Sequence, residues 1–397
     1  MNVAVRAASR AAVLALTVAS CSTADSTTDP TLSAPPAPTT VMSTAPKAAP
    51  DPGPGSIQVA LQRTLDDWFG AGAVGGAVAA IGLPDGTVHV STIGDAAPGE
   101  PARSGDTMRI GSITKTFMAT LVLRLDDLGV LDIDDRVAAH LPDLDIRDSI
   151  TIRDLLAHTS GISDADPEEL IALFRADSAQ RLEYDDLIAF ADIPTGPDEP
   201  PGEFAYANAG YHVLGGVIEA ATGTDVATAL RTHVYDPAGL TETHLAGAEH
   251  VPVPIVPGNV DLDGDGREDS LADIPYLAVE TAMWTAGALV TTPDDLIGFT
   301  RGLFGGSIIS ERSLAEMTTT SDAAHGHGLG LFDLGIDDRT AYGNSGGAPG
   351  FHANLAHDPS TGITAVVFTN CPSCPAGGLD TWQLLVDLLA IAAASAS

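Results

Sequence analysis

Lysine is almost absent from this chain: two occur in 397 residues, Lys47 and Lys115, and every other fixed side-chain cation is an arginine. Basic residues number 18 against 53 acidic ones, for a formal net charge of −35. Such a surface repels a polyanion before any specific contact forms, which excludes nucleic acid as a partner. Cysteine is scarce too, at positions 21, 371 and 374. Cys371-Pro-Ser-Cys374 has no second pair to complete a zinc site and no thioredoxin-like surroundings for redox catalysis. In an exported protein the spacing fits a short-loop structural disulfide. Beyond the first twenty residues no apolar run is long enough for a transmembrane helix. An apolar fraction of 44% is nevertheless enough for a substantial core.

The first twenty residues read as an export signal. Arg6 and Arg10 form a basic region, and Ala11 to Ser20 form an apolar one too short to span a bilayer. Val18-Ala19-Ser20-Cys21 is similar to a bacterial lipobox, in which the cysteine carries the lipid. Residues 21–55 are rich in Pro, Ser, Thr and Ala and cannot bury enough surface to fold, so they are expected to be a tether. The protein is therefore expected outside the cytoplasm, held to the cell membrane by lipid on Cys21.

Folded structure is expected over residues 56–397. Ile57, Leu61, Leu65 and Phe69 recur at the spacing of one helix face, and Leu83-Pro-Asp-Gly-Thr87 separates two short apolar runs as a hairpin turn would. Ser112 to Leu128 is strongly helical, with Phe117, Leu121, Leu125 and Leu128 on one stripe. From about 130 to 320 helical stretches dominate. Strand patterns return at Gly328 to Leu334, Thr340 to Asn344, Phe351 to Ala356 and Ile363 to Thr369, and a last helix is expected over Leu379 to Ala393. Strands at both ends and helices between them imply an α/β fold, its antiparallel sheet closed by the two termini and flanked by the terminal helices.

The rarity of lysine points to chemistry at Lys115. Arginine cannot give up its proton near neutrality, whereas a desolvated lysine can be neutral and act as a base. Ser112 stands three residues earlier, about one helical turn away on the same face. Gly111 permits close backbone approach, and the helix start offers free N–H groups where an oxyanion would form. The plain alternative is a serine N-cap followed by a solvated lysine.

Five segments settle the comparison: MRIGSITKTF, TIRDLLAHTSGI, PPGEFAYANAGYHVLGGVIE, WTAGALVTTPDDL and YGNSGGAPGF, in that order. Together they resemble the serine β-lactamase and penicillin-binding protein superfamily, in the branch of class C β-lactamases, D-alanyl-D-alanine carboxypeptidases and related esterases. The resemblance implies a β-lactamase/transpeptidase-like fold with an inserted mainly α subdomain. It implies Ser112 as the acylated nucleophile, Lys115 as its base, and Tyr206 and Asn208 as the proton shuttle and the amide that binds the substrate carbonyl. Asn344, Ser345 and Gly346 match the third motif, with Gly347 as the second oxyanion donor. At Asn344 the family carries a cation, so recognition of a substrate carboxylate is in question. The Glu-x-x-Leu-Asn of class A enzymes is missing. The substrate would be a small molecule or a peptidoglycan-type peptide, namely a D-alanyl peptide, a β-lactam or an ester. A non-catalytic ligand-binding relative is the alternative, and a monomer is expected.

Two further motifs compete for attention. Gly343-Asn344-Ser345-Gly346-Gly347 fits a nucleophile elbow, but the residues after it are a poor helix start and too little chain remains for an acid and a histidine. Asp261, Asp263, Asp265 and Asp269 hold positions 1, 3, 5 and 9 of a calcium loop, with Ala272 at position 12 where glutamate belongs. No cofactor is required for the chemistry, and structural calcium or a solvated acidic loop both fit that segment.

Overall fold

The computed structural model describes residues 57–69, 75–164, 177–196, 203–260, 269–320, 326–336, 339–371 and 381–396. The export signal, Cys21, the tether, Asp261, Asp263, Asp265 and Cys374 lie outside them.

Helix α1 (Ile57–Phe69) opens the described chain, followed by β1 (Gly76–Gly82), β2 (Val88–Ala97) and the two-residue β3 (Glu100–Pro101). The Pro-Asp-Gly turn forms as its chemistry dictates: Leu83 N–H donates to Thr87 O at 2.8 Å, and the Asp85 carboxylate accepts from Thr87 N at 2.9 Å. Helix α2 (Thr114–Asp127) follows a 3₁₀ turn at Gly111–Ile113, and helices α3 (Asn208–Thr222) and α4 (Leu277–Gly287) lie in the long middle region. The chain then returns to the sheet through β4 (Phe332–Asp333), β5 (Tyr342–Ala348), β6 (Phe351–Asp358) and β7 (Ile363–Thr369), and ends in α5 (Thr381–Ala396).

The sheet order is β3-β2-β1-β7-β6-β5-β4. Its centre joins the two ends of the chain: β1 pairs antiparallel with β7, Ala77 opposite Thr369 and Gly82 opposite Thr364. Both central strands are buried along their whole length, so their side chains divide by the period of two into two cores. Ala77, Ala79 and Ile81, with Val367 of β7, pack against Leu61, Leu65 and Trp68 of α1 and Leu384, Leu385 and Leu388 of α5. Val78 and Ala80, with Val366 and Phe368, face α2 and the helical region. The result is three layers, terminal helices, sheet and helical region, with each fully buried Leu or Ile contributing roughly 1.5–3 kcal/mol of hydrophobic stabilisation.

Helix α2 is buried almost all round because it lies between the sheet and the other helices. Its stripe reads correctly through Phe117, Leu121 and Leu125, but Leu128 lies past the last turn and is 46% exposed. In α1 the buried aromatic is Trp68, while Phe69 is only half-buried. The stretch Gly328 to Leu334 contributes only Phe332–Asp333 as strand, because Leu329 N–H bonds to Met317 O and Gly328 N–H to Leu331 O, away from the sheet. Among the described residues no single helix is long and apolar enough to cross a membrane.

Candidate active site

The Ser112 turn sits where three elements meet. On one side Ile110 N–H bonds Leu289 O and Leu289 N–H bonds Thr114 Oγ1, each at 3.1 Å. On the other side lies the backbone of β5. Gly111 has φ +50°, in the left-handed region, and a Cβ there would come within 2.6 Å of Gly347 N. A Cβ on Gly346 would collide with the Ile110 carbonyl and come within 2.8 Å of Ser112 N. Glycines at both places let the strand and the turn touch backbone to backbone.

Ser112 lies in the 3₁₀ turn and Lys115 in the first turn of α2, three residues on, so the two side chains share one face. Lys115 Nζ is 3.1 Å from Ser112 Oγ, 2.8 Å from Asn208 Oδ1 and 2.8 Å from Ala286 O. The lysine is fully buried, so the reading of Ser112-x-x-Lys115 as a helix cap with a solvated lysine does not hold. Ala286 is presented by an irregularity in α4: Trp284 takes φ 27° and ψ −119° inside the helix, two residues earlier. Non-glycine backbone in that region costs on the order of 1–3 kcal/mol and concentrates at functional sites.

Tyr206 lies beside the same amine, with Lys115 Nζ 4.9 Å from its ring centroid. The tyrosine hydroxyl has no hydrogen-bond partner among the described residues and is half-buried. His158 holds the tyrosine from both sides in sequence: its carbonyl accepts from Ala205 N at 2.8 Å and its Nδ1 from Ala207 N at 3.2 Å. Its ring packs 4.4 Å from that of Tyr206, and its backbone is left-handed at φ 57°. Accepting through Nδ1 leaves the proton on Nε2. Burial first, then His327 and Lys115, hold His158 well below the usual histidine range, so it is neutral. Burial likewise pushes His327 and His212 down to about 4. These histidines surround the lysine without adding charge to it.

Asp164 completes the cluster. Its Oδ2 accepts from Asn208 Nδ2 at 2.9 Å and its Oδ1 from Ala209 N at 2.8 Å. Burial pushes its carboxyl above the usual range, opposed by the Ala209 N–H, the charge of Lys115 and the Asn208 amide. Neither Asp164 nor the grip of His158 on Tyr206 follows from the sequence, where the first is one acidic residue among 53 and the second matches a structural His-Thr-Ser-Gly stretch.

The third motif corrects one expectation. Asn344 does not face a substrate carboxylate: it is 3% exposed, and its Nδ2 lies 3.4 Å from Ser112 O, 3.3 Å from Thr116 Oγ1 and 3.3 Å from Gly330 O. Its Oδ1 accepts from Ser345 N at 2.9 Å. The amide ties β5 to α2 beneath the Ser112 turn. Strand alternation then puts Ser345 on the opposite face of β5, exposed and 3.3 Å from His352 Nε2. The outward N–H of Ser345 shows that alternate residues of β5 direct their amides away from β6. By the same alternation Gly347 N–H lies on the edge that faces the Ser112 turn.

The structure thus brings together Ser112, Lys115, Tyr206, Asn208, Gly346 and Gly347, and turns Asn344 and Ser345 elsewhere. Asp269 is exposed in a two-strand pairing of Asn259–Val260 with Asp269–Ser270. Among the described residues no three His, Cys, Asp or Glu side chains are grouped to hold a metal. Cys371 is disulfide-bonded, with its partner outside the described residues.

Known proteins share this arrangement of elements and part of its sequence. The chain is 29% identical over 312 residues to Penicillin-binding protein 4 of Amycolatopsis lactamdurans, covering 72% of this chain and 77% of that protein. It is 27% identical over 262 residues to the PbpX protein of Bacillus subtilis (strain 168), covering 66% of this chain but only 61% of that relative. The D-amino acid amidase of Ochrobactrum anthropi SV3 superposes with a TM-score of 0.71 at 25% identity, over 86% of this chain and 99% of the amidase. The beta-lactamase family profile matches residues 61–389, most of the length of the chain and all of the residues that meet at Lys115. With a seven-stranded antiparallel sheet between terminal and inserted helices, the chain belongs to the beta-lactamase family.

Proposed function

We propose that this protein is an exported serine hydrolase that forms an acyl-enzyme on Ser112. The contacts of Lys115 carry the proposal. A neutral amine has two N–H donors and one lone pair; Asn208 Oδ1 and Ala286 O are carbonyl oxygens that can only accept. Those two oxygens take the donors, and the lone pair is left for the hydroxyl proton of Ser112. As Ser112 Oγ attacks a carbonyl carbon, Lys115 takes its proton and becomes an ammonium whose charge is met by the same two oxygens. Ser112 N–H and Gly347 N–H would hold the oxyanion, and Tyr206, with its hydroxyl unengaged, would pass a proton to the leaving group. Water then releases the acyl group by the same steps in reverse order. A purely ligand-binding role has no use for an unshielded serine held against a buried lysine.

The acyl donor we propose is a neutral ester or amide. The buried Asn344 supplies no cation for a carboxylate beside the scissile bond, and the net charge of −35 disfavours anions approaching from solution. By name the relatives include an esterase, EstB of Burkholderia gladioli, at 30% identity over 40% of this chain, as well as the amidase. The N-terminal leader and Cys21 suggest that the enzyme works at the outer side of a membrane, on a lipid anchor.

A panel of donors tests this: a neutral p-nitrophenyl ester, an N-acetyl-D-aminoacyl amide and a penicillin, each with wild type, Ser112→Ala and Asn344→Lys. The neutral donors should turn over fastest, and Ser112→Ala should abolish turnover. Asn344→Lys should not improve the penicillin, and by burying an unpaired ammonium it should lower stability by on the order of 3 kcal/mol. Improved penicillin turnover in Asn344→Lys would show that position 344 does meet the substrate.

A further inference from the structure

Helix α3 begins at Asn208, and its N-cap, Ala207, has no side chain with which to accept the free N–H groups of the first turn. Asp164 fills that role from a distant loop, bonding Ala209 N at 2.8 Å. The loop is itself fixed, since Ser163 and Asp192 exchange two backbone hydrogen bonds of 3.1 Å. Capping explains one carboxylate oxygen. The other is committed to Asn208 Nδ2 at 2.9 Å, and this has a chemical consequence.

An amide has a donor end and an acceptor end, and a carboxylate can only accept. With Nδ2 turned to Asp164, the Asn208 carbonyl must point the opposite way, where it meets Lys115 Nζ at 2.8 Å. We infer that Asp164 is a positioning residue for acyl transfer: it fixes which end of the Asn208 amide faces Lys115, and so holds the amine against Ser112. The inference rests on the reading of Lys115 as the base. If Asp164 is replaced by asparagine, two NH₂ groups can face one another at this contact. The Asn208 amide then gains by flipping, which turns its own NH₂ toward Lys115, where it donates to the lone pair that Ser112 needs and removes an oxygen that would meet the ammonium once formed.

Capping and positioning predict opposite orders of effect. Asparagine is a good helix cap and alanine a poor one. If Asp164 only caps α3, Asp164→Ala should be the worse variant in both melting temperature and kcat. If Asp164 sets the amide, Asp164→Asn should melt close to wild type yet lose about 10²-fold in kcat, since a displacement of about 1 Å at a reacting group is enough for that. Asp164→Ala, which offers no opposing donor, should keep more of the rate despite melting lower. KM should change little in either, as expected for an interaction that matters only in the transition state.

The measurement is kcat and KM for a neutral p-nitrophenyl ester, with thermal unfolding, on wild type, Asp164→Asn, Asp164→Ala and Ser112→Ala. Asp164→Asn at wild-type kcat, or losses of rate that follow melting temperature with alanine worst, overturn the inference while leaving Ser112-dependent turnover in place. Wild type that is no more active than Ser112→Ala overturns the parent reading and this one together. Should Asp164→Asn fail to fold, Asp164→Ala decides alone, assayed well below its melting temperature with and without a stabilising osmolyte: kcat lowered by about threefold or more at constant KM and not restored by the osmolyte supports positioning, and a smaller loss, or one that the osmolyte restores, refutes it.

Discussion

Lys115→Met is expected to leave a folded protein whose kcat toward a neutral ester is lower by about 10³-fold, near the middle of what a general base contributes. Methionine fills much of the buried volume, but it cannot accept the Ser112 proton. Arginine at 115 should fare no better, because its guanidinium stays charged and is too wide for a site closed by Asn208 Oδ1, Ala286 O and the ring of Tyr206. Steady-state ester hydrolysis beside a thermal melt separates loss of chemistry from loss of fold. A folded Lys115→Met variant with wild-type kcat would remove the lysine from the mechanism.

Gly346→Ala is expected to be the most damaging single methyl in the molecule's active region. The added carbon would be driven into the Ile110 carbonyl and to within 2.8 Å of Ser112 N, both backbone atoms of a turn that is pinned on its far side by Leu289. Neither side can yield as a flexible side chain would. Overpacking of this kind costs on the order of 3 kcal/mol. Separation of β5 from the turn would also move Ser112 N–H and Gly347 N–H apart as the two proposed donors to the oxyanion, so kcat should fall by roughly 10²-fold in whatever protein remains folded. Urea unfolding gives the first quantity and ester turnover the second. Unchanged values of both would mean that strand and turn are not in the contact described.

The residues that meet at Lys115 were legible because the acyl transfer proposed for them demands particular side chains at short spacing. Ser112 and Lys115 are local to one turn, Tyr206 and Asn208 to one helix start, and the single folded-region lysine marked itself by its rarity. The sheet was legible for a similar reason: β1 and β7 are short apolar runs at opposite ends of the chain, and only pairing could bury both. What the sequence concealed depends on distant partners. Nothing near Asn344 indicates that its amide will be enclosed by Ser112 O, Thr116 and Gly330 O from two other segments. Asp164 is hidden by the general acidity of the chain. Gly328 to Leu334 alternates like a strand, yet Gly330 O is taken by Thr116 Oγ1 at 2.7 Å and Leu329 N–H by Met317 O, so only Phe332–Asp333 joins the sheet.

YGNSGGAPGF illustrates both sides of this. Its pattern suits a nucleophile elbow, but Ser345 faces His352 on the side of β5 away from Lys115, and the segment's contribution is the backbone of Gly346 and Gly347 laid against the Ser112 turn.

The most direct measurement is therefore the location of the acyl group. Wild-type protein trapped at low pH after mixing with an activated ester should carry one added acyl mass, on the peptide containing Ser112, and Ser112→Ala should carry none. An adduct on Ser345, or no adduct with any donor, would contradict the assignment.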